Sequence, residues 1–179
     1  MVSLSVLFYI FIFIFALIGA IRGWAKEVTA LFGSVLALFI LTVLQSYIPA
    51  VKTYMENSPI SSQVTFRMAV MGFIAFLGYQ TPNLPLFLQS QQGKRGQMQD
   101  VILGFLVGGL NGFMIFGSMW YFMHQGGYPF AHVLAPIAGT PAGEAALQII
   151  PLLPPGWLVA PGIYFAIALS FLFVLMVFI

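Results

Sequence analysis

Of the 179 residues, 61% are hydrophobic and 6% are charged, and the mean hydropathy is +1.03, values typical of a chain that lives in lipid rather than water. Six basic against four acidic residues leave a formal charge of +2, too small to suggest a nucleic-acid partner. With no cysteine in the chain, a disulfide framework, a thiolate metal site and a cysteine nucleophile are all excluded.

The first element is the apolar run 2–20, rich in Phe, Ile and Leu. No basic residue precedes it and it exceeds the apolar core of a signal peptide, so it reads as a retained transmembrane helix. Small residues gather at its end, and Gly19 and Gly23 repeat the four-residue spacing at which membrane helices pack closely. The connector 21–27 is short enough to force an antiparallel hairpin with a second span, 28–48. In that connector Arg22 and Lys26 suit snorkelling towards lipid phosphates, and Trp24 suits the headgroup layer. Glu27 falls in the first turn of the second helix, where a carboxylate favours the helix dipole.

Pro49 is expected to end that helix, and Lys52, Glu56 and the Asn57-Ser58-Pro59 turn mark a polar excursion. A third span covers 61–79, with Arg67 near one end and free to snorkel; a re-entrant or interfacial helix is the alternative. Thr81, Pro82, Asn83 and Pro85 stop it, and the polar run 89–99, with Lys94 and Arg95 between glycines, reads as a flexible loop. Asp100 then stands where an N-cap is needed for the fourth span.

That span, 101–122, has no formal charge and would be about 33 Å long as a helix. Gly104, Gly108 and Gly112 lie four apart along one face of it. This stripe removes side chains there and lets another helix approach at backbone distance. The small residues Ala16, Gly19, Ala30, Gly33 and Ala37 of the first two spans offer a matching surface. Residues 123–160 carry no Lys or Arg and are broken by Pro and Gly; short interfacial helices are expected at 128–137 and 143–149. A last apolar run, 161–179, is long enough for a fifth span. The chain thus predicts an all-α fold, a polytopic membrane helical bundle. A domain of four transmembrane helices (1–122) is followed by a Pro/Gly-rich outer-face segment (123–160) and a fifth transmembrane helix (161–179).

Basic residues set the orientation. Arg22, Lys26, Lys94 and Arg95 fall in connectors 21–27 and 80–100, which are expected to be cytoplasmic with the N-terminus outside. No carboxylate, Lys or Arg is expected deep within a span, where proton relays and ion-coupled transporters usually carry one. His124, His132 and Glu144 match no zinc spacing. Ligation of a metal, haem or pigment by His124 or His132 is the sharp alternative to ordinary interfacial hydrogen bonding; no cofactor, metal or catalytic set is assigned. Ser118 and Ser170 are expected to bond back to their own helices.

Two stretches resemble a known family. The first contains Gly19, Arg22, Gly23, Trp24, Lys26 and Glu27, followed by Ala30 and Leu31. The second contains Asp100, Gly104, Gly108, Gly109, Asn111 and Gly112. Both are similar to segments of the colicin V production protein (CvpA) family of bacterial inner-membrane proteins, over roughly residues 1–135. The chain departs from that pattern in three ways. Its first helix begins without an acid, Asn111 stands where a basic residue is usual, and a fifth span follows the usual four. The resemblance implies a multi-pass protein of the bacterial inner membrane, linked to colicin V production or export, with no agreed activity.

Two functional classes follow. One is a non-enzymatic accessory or structural subunit, packed in the bilayer against other membrane protein subunits of a larger complex, of which an electron-transport or photosynthetic assembly would be a natural host. The other is a self-sufficient export or permeation factor with a polar path past Gln45, Asn111 and Gln125. An enzyme is a distant third, since no base, nucleophile or metal set is apparent.

Overall fold

The computed structural model describes residues 4–80, 94–131, 133 and 135–178; of Lys94, Arg95, Val177 and Phe178 only the backbone is described. Among the described residues every regular element is a helix, as lipid demands of a segment that must satisfy its own backbone. The helices are α1 (Leu4–Arg22), α2 (Trp24–Tyr47), α3 (Pro49–Asn57), α4 (Ile60–Tyr79), α5 (Lys94–Gln125), α6 (Pro141–Ile149), α7 (Pro154–Trp157) and α8 (Gly162–Phe178). A 3₁₀ turn, Ile150–Leu152, joins α6 to the approach of α7. Four of them, α1, α2, α4 and α5, are long and apolar enough to cross a bilayer, and the chain is a multi-pass membrane protein of the all-α class. The fifth apolar helix, α8, has 17 residues, about 26 Å, the short end of what spans hydrocarbon.

Several boundaries differ from expectation, each for a local reason. The connector expected at 21–27 shrinks to Gly23, whose φ of 86° turns the chain in one residue where a side chain would be strained. Pro49 begins a helix as well as ending one. Its missing N–H and preset φ suit the first position of α3, and Ile48 before it is extended. Lys94 to Gln99, expected as loop, and Asp100, expected as the N-cap, are the first turns of α5, which runs for 32 residues. Lys, Arg, Gln and Met are good helix formers despite their polarity. Asp100 is therefore not the cap of its own helix. No helix forms among the described residues of 128–137, which follow Gly126 and Gly127 and contain Pro129 and Pro136. The second short helix does form as α6, with the Thr140 hydroxyl accepting the Gly143 N–H. The remainder of connector 80–100, residues 81–93, lies outside the described residues.

The first two spans form an antiparallel hairpin, but α1 packs mainly on α5 and only slightly on α2. The reason lies in the small residues. A Cβ placed on Gly19 would strike the Gly104 carbonyl oxygen and lie 2.8 Å from the Gly108 Cα. One on Gly108 would strike the Phe15 carbonyl oxygen, and one on Gly112 would lie 2.9 Å from the Ile12 Cα. The two backbones are in contact, with α1 and α5 antiparallel. Towards the far end, away from the hairpin, the seam passes from glycine to aromatics. Phe11 stacks on Phe116 at 4.0 Å between ring centres, and Phe8 meets Trp120 edge-on at 5.3 Å.

Helix α2 lies between α4, α5 and α8. Its small residues serve a second seam, since a Cβ on Gly33 would come 2.9 Å from the Gly78 Cα of α4. Leu38, Met71, Met114 and Ile115 form the apolar centre of this group. Helix α8 runs antiparallel to α2, with Phe39 against Tyr164 and Phe32 against Phe171. The Pro/Gly-rich segment folds over the far end of α1 and α5. There Ala146, Ile150 and Leu153 bury themselves beside Phe8 and Trp120.

Candidate functional site

One side chain from each of the four spanning helices meets near the hairpin end. Arg22 ends α1, Glu27 lies in the first turn of α2, Tyr79 ends α4 and Asn111 lies midway along α5. Helix pairing places them. Antiparallel α1 and α2 put Arg22 beside Glu27 across Gly23, and the Gly33–Gly78 contact brings the end of α4 to the start of α2. Glu27 and Asn111 are both wholly buried.

Glu27 is the centre of the cluster. Its Oε1 accepts from Arg22 Nη1 in an ion pair. Its Oε2 accepts from Asn111 Nδ2 at 2.7 Å and from the Tyr79 hydroxyl at 3.1 Å. Asn111 Nδ2 also donates to the Glu27 backbone carbonyl at 2.9 Å. Arg22 reaches across to α4, where Nη2 donates to the Tyr79 carbonyl at 3.0 Å, and its guanidinium lies 4.5 Å from the Tyr79 ring centre. A cation on the last carbonyl of a helix also suits the helix dipole. Asn111 Oδ1 has no hydrogen-bond partner among the described residues.

A second polar tie crosses α2 and α5 at the turn itself. The Trp24 N–H, one of the unpaired donors at the start of α2, donates to Asp100 Oδ1 at 3.1 Å. Asp100 thus caps a helix other than its own, at a point where Gly23 leaves room for it. A Cβ on Gly23 would lie 2.7 Å from Asp100 Oδ2.

The structure places the sequence-predicted residues as follows. Gly19, Gly104, Gly108 and Gly112 line the α1–α5 seam, and Gly23 is the turn. Glu27, in the first turn of α2 as expected, is wholly enclosed, and its partner Arg22 in the last turn of α1 keeps only 21% of its side chain exposed, so a charged pair is buried near the end of the bundle. Arg22 is an ion-pair partner rather than a free snorkelling anchor. Trp24 and Lys26 are half-buried at the hairpin end, and Lys94 and Arg95 begin α5 at that same end. Tyr79 escaped the sequence reading. Its only signal was a polar-tipped aromatic at a helix end. Asn111 stood out in the sequence as a departure from the CvpA pattern and as part of a polar path, but not as a partner of Glu27, which is 84 residues away in the chain.

The candidates at the far end behave differently. His124 Nδ1 lies 3.4 Å from the Tyr128 hydroxyl, which also accepts from Trp120 Nε1 at 3.2 Å. Burial raises the Tyr128 pKa, and the Trp120 bond offsets part of that rise. Glu144 Oε1 accepts from the Gly139 N–H at 2.9 Å, and His132 lies outside the described residues. Among the described residues no three His, Cys, Asp or Glu side chains come together as a metal site would require. Ser118 bonds back to the Met114 carbonyl at 2.6 Å. Gln45 and Gln125 line a cavity at the far end together with Arg67. Arg67 reaches towards the end of the bundle, where its Nη1 donates to Gln125 Oε1, on the last residue of α5, at 3.0 Å.

Chemically, the Glu27 cluster is a lock. The carboxylate takes three side-chain hydrogen bonds from three other helices, so removal of any one partner leaves a buried polar group exposed to an apolar interior. Such an intramembrane ionisable group is also a functional-site candidate by default. Set against protein-family models, curated proteins and solved structures, the chain matches none.

Proposed function

We propose that this integral membrane protein is a non-enzymatic accessory or structural subunit, packed against other subunits of a larger membrane complex. The observation that carries this reading is the use of the buried polar groups. Arg22, Glu27, Tyr79 and Asn111 bind one another and tie four helices together, an arrangement suited to rigidity rather than turnover. Around this locked interior, large apolar side chains such as Phe165, Leu169 and Met176 of α8 and Phe73 and Phe76 of α4 point outward. They suit a surface that packs in lipid or on other helices.

The resemblance to the CvpA family supports placement in the bacterial inner membrane. Its two motif stretches are the ones that meet in the Gly19–Gly108 seam and the Glu27–Asn111 bond. A cytoplasmic hairpin end is supported by the common position of Arg22, Lys26 and the start of α5. The rival reading, an export or permeation factor, is weakened by the core. Buried Leu38, Met71, Met114 and Ile115 form an apolar cluster on the helices that also carry Gln45, Asn111 and Gln125.

Gentle solubilisation of native membranes followed by sizing tests the proposal. The chain should migrate within an assembly several times its 19.6 kDa mass, with reproducible companions. Migration as a lone small protein would overturn it, and a flux across liposomes containing only this chain would favour the rival.

A further inference from the structure

At the end of the bundle away from the hairpin, a cavity of about 460 Å³ opens between α2, α4, α5 and the α7–α8 link. This lies within the size range of small-molecule sites. Its lining includes polar Thr42, Gln45, Ser46, Arg67 and Gln125. Apolar Leu38, Leu41 and Leu158 line it as well, the first two further along α2 from the helix end than Gln45 and Ser46.

Arg67 is the residue that needs explaining. It sits seven residues into α4, about 10 Å from the start of that helix. Its Nη1 donates to Gln125, and its Nε is buried without a hydrogen-bond partner among the described residues. No carboxylate lines the cavity. The chain's four acidic residues are occupied or elsewhere. Glu27 pairs with Arg22, Asp100 caps α2, Glu144 holds Gly139, and Glu56 is exposed on α3. A half-buried guanidinium without an anion is costly, and its planar fork of donors matches a phosphate.

We propose that this cavity binds the phosphate of an anionic phospholipid headgroup, with Arg67 as the principal contact. Gln45, Thr42 and Ser46 supply hydrogen bonds to the headgroup, and the leucines receive the first methylenes of its acyl chains. The apolar lining and the position at one end of membrane-spanning helices favour a lipid source over a soluble phosphate ester. This inference does not depend on the subunit reading.

The test uses the full chain purified in neutral detergent. Native mass spectrometry follows the binding of short-chain phosphatidylglycerol, short-chain phosphatidylcholine and glycerol phosphate. Phosphatidylglycerol should bind about tenfold more tightly than phosphatidylcholine, whose ammonium offsets the charge of its phosphate and weakens its attraction to Arg67. Arg67→Gln should lower phosphatidylglycerol affinity about tenfold and phosphatidylcholine affinity by less, so that the preference between them shrinks. Equal binding of the two lipids, or an Arg67→Gln protein with an intact preference, overturns the proposal. Glycerol phosphate binding as tightly as phosphatidylglycerol overturns the lipid assignment. Helix content by circular dichroism checks each variant. Should Arg67→Gln fail to fold, Gln45→Leu, which keeps the Arg67–Gln125 bond, is decisive. Several-fold weaker phosphatidylglycerol binding supports the site, and unchanged binding overturns it.

Discussion

Gly108→Leu is the most informative perturbation of the fold, because the atoms it meets are backbone. Ordinary contact for a new Cβ begins at 3.4 Å, and the Gly19 Cα would lie at 2.8 Å, with the Phe15 carbonyl oxygen closer still. Helix α1 must therefore retreat by well over ~0.6 Å for the Cβ alone, because the Phe15 carbonyl is nearer than the Gly19 Cα, and further for the rest of the leucine, with no rotamer available to relieve it. Retreat at Gly108 also opens the contacts of Gly104 and Gly112, which belong to the same seam. Overpacking of a tight interior costs about 1–3 kcal/mol, and the backbone-to-backbone geometry puts this case at about 3 kcal/mol. Unfolding in mixed micelles, followed by far-ultraviolet circular dichroism, measures it. Gly109→Ala is the matched control, because its Cβ would meet Ala16 Cβ at 3.5 Å, an ordinary contact. It should be neutral or slightly stabilising, as removal of a helical glycine gains about 0.5–1 kcal/mol. A Gly108→Leu protein as stable as the parent, or equal damage from both substitutions, would refute the reasoning.

The polar lock yields further expectations. Glu27→Gln leaves the Arg22 guanidinium without its anion and should cost about 3 kcal/mol, the lower end for a broken buried pair because Arg22 is partly exposed; Arg22→Met combined with Glu27→Gln should recover part of that loss in the same unfolding assay. Asn111→Leu removes two hydrogen bonds to Glu27 and should cost about 1–3 kcal/mol, read the same way. Asp100→Ala uncaps Trp24 and should cost about 1 kcal/mol, whereas Asp100→Asn, which keeps an acceptor, should cost less. Equal losses for the last two variants would show that the cap does not matter.

The four spans were legible because a long uncharged apolar run needs only its length to be read. The register of the α5 stripe was legible too, since a four-residue spacing defines one helix face. Its partner was narrowed to the first two spans, but not to one of them. Ala30 and Gly33 of α2 are as small as Ala16 and Gly19 of α1, and only assembly shows that Gly33 turns to Gly78 instead. The start of α5 was misread because Lys94 to Asp100 are polar, although polarity does not oppose a helix that projects beyond the apolar bundle. The cluster was hidden for a different reason. Glu27 lies 52 residues from Tyr79 and 84 from Asn111, and no local pattern announces that an exposed-looking helix start will be enclosed. Its one trace was the motif pair that resembles the CvpA family, in which the position usually held by a base is the Asn111 that reaches Glu27.

The glycine seam joins α1 to α5 within one chain and leaves the outer helix faces for other contacts. The chain has no native cysteine, and the 3.5 Å between Ala16 Cβ and a Cβ on Gly109 fits disulfide geometry. Ala16→Cys with Gly109→Cys, oxidised in intact membranes and analysed on non-reducing gels, measures that pairing directly. A bond within the monomer, formed in high yield and independent of expression level, is the predicted result. No bond, or a covalent dimer in its place, would contradict it.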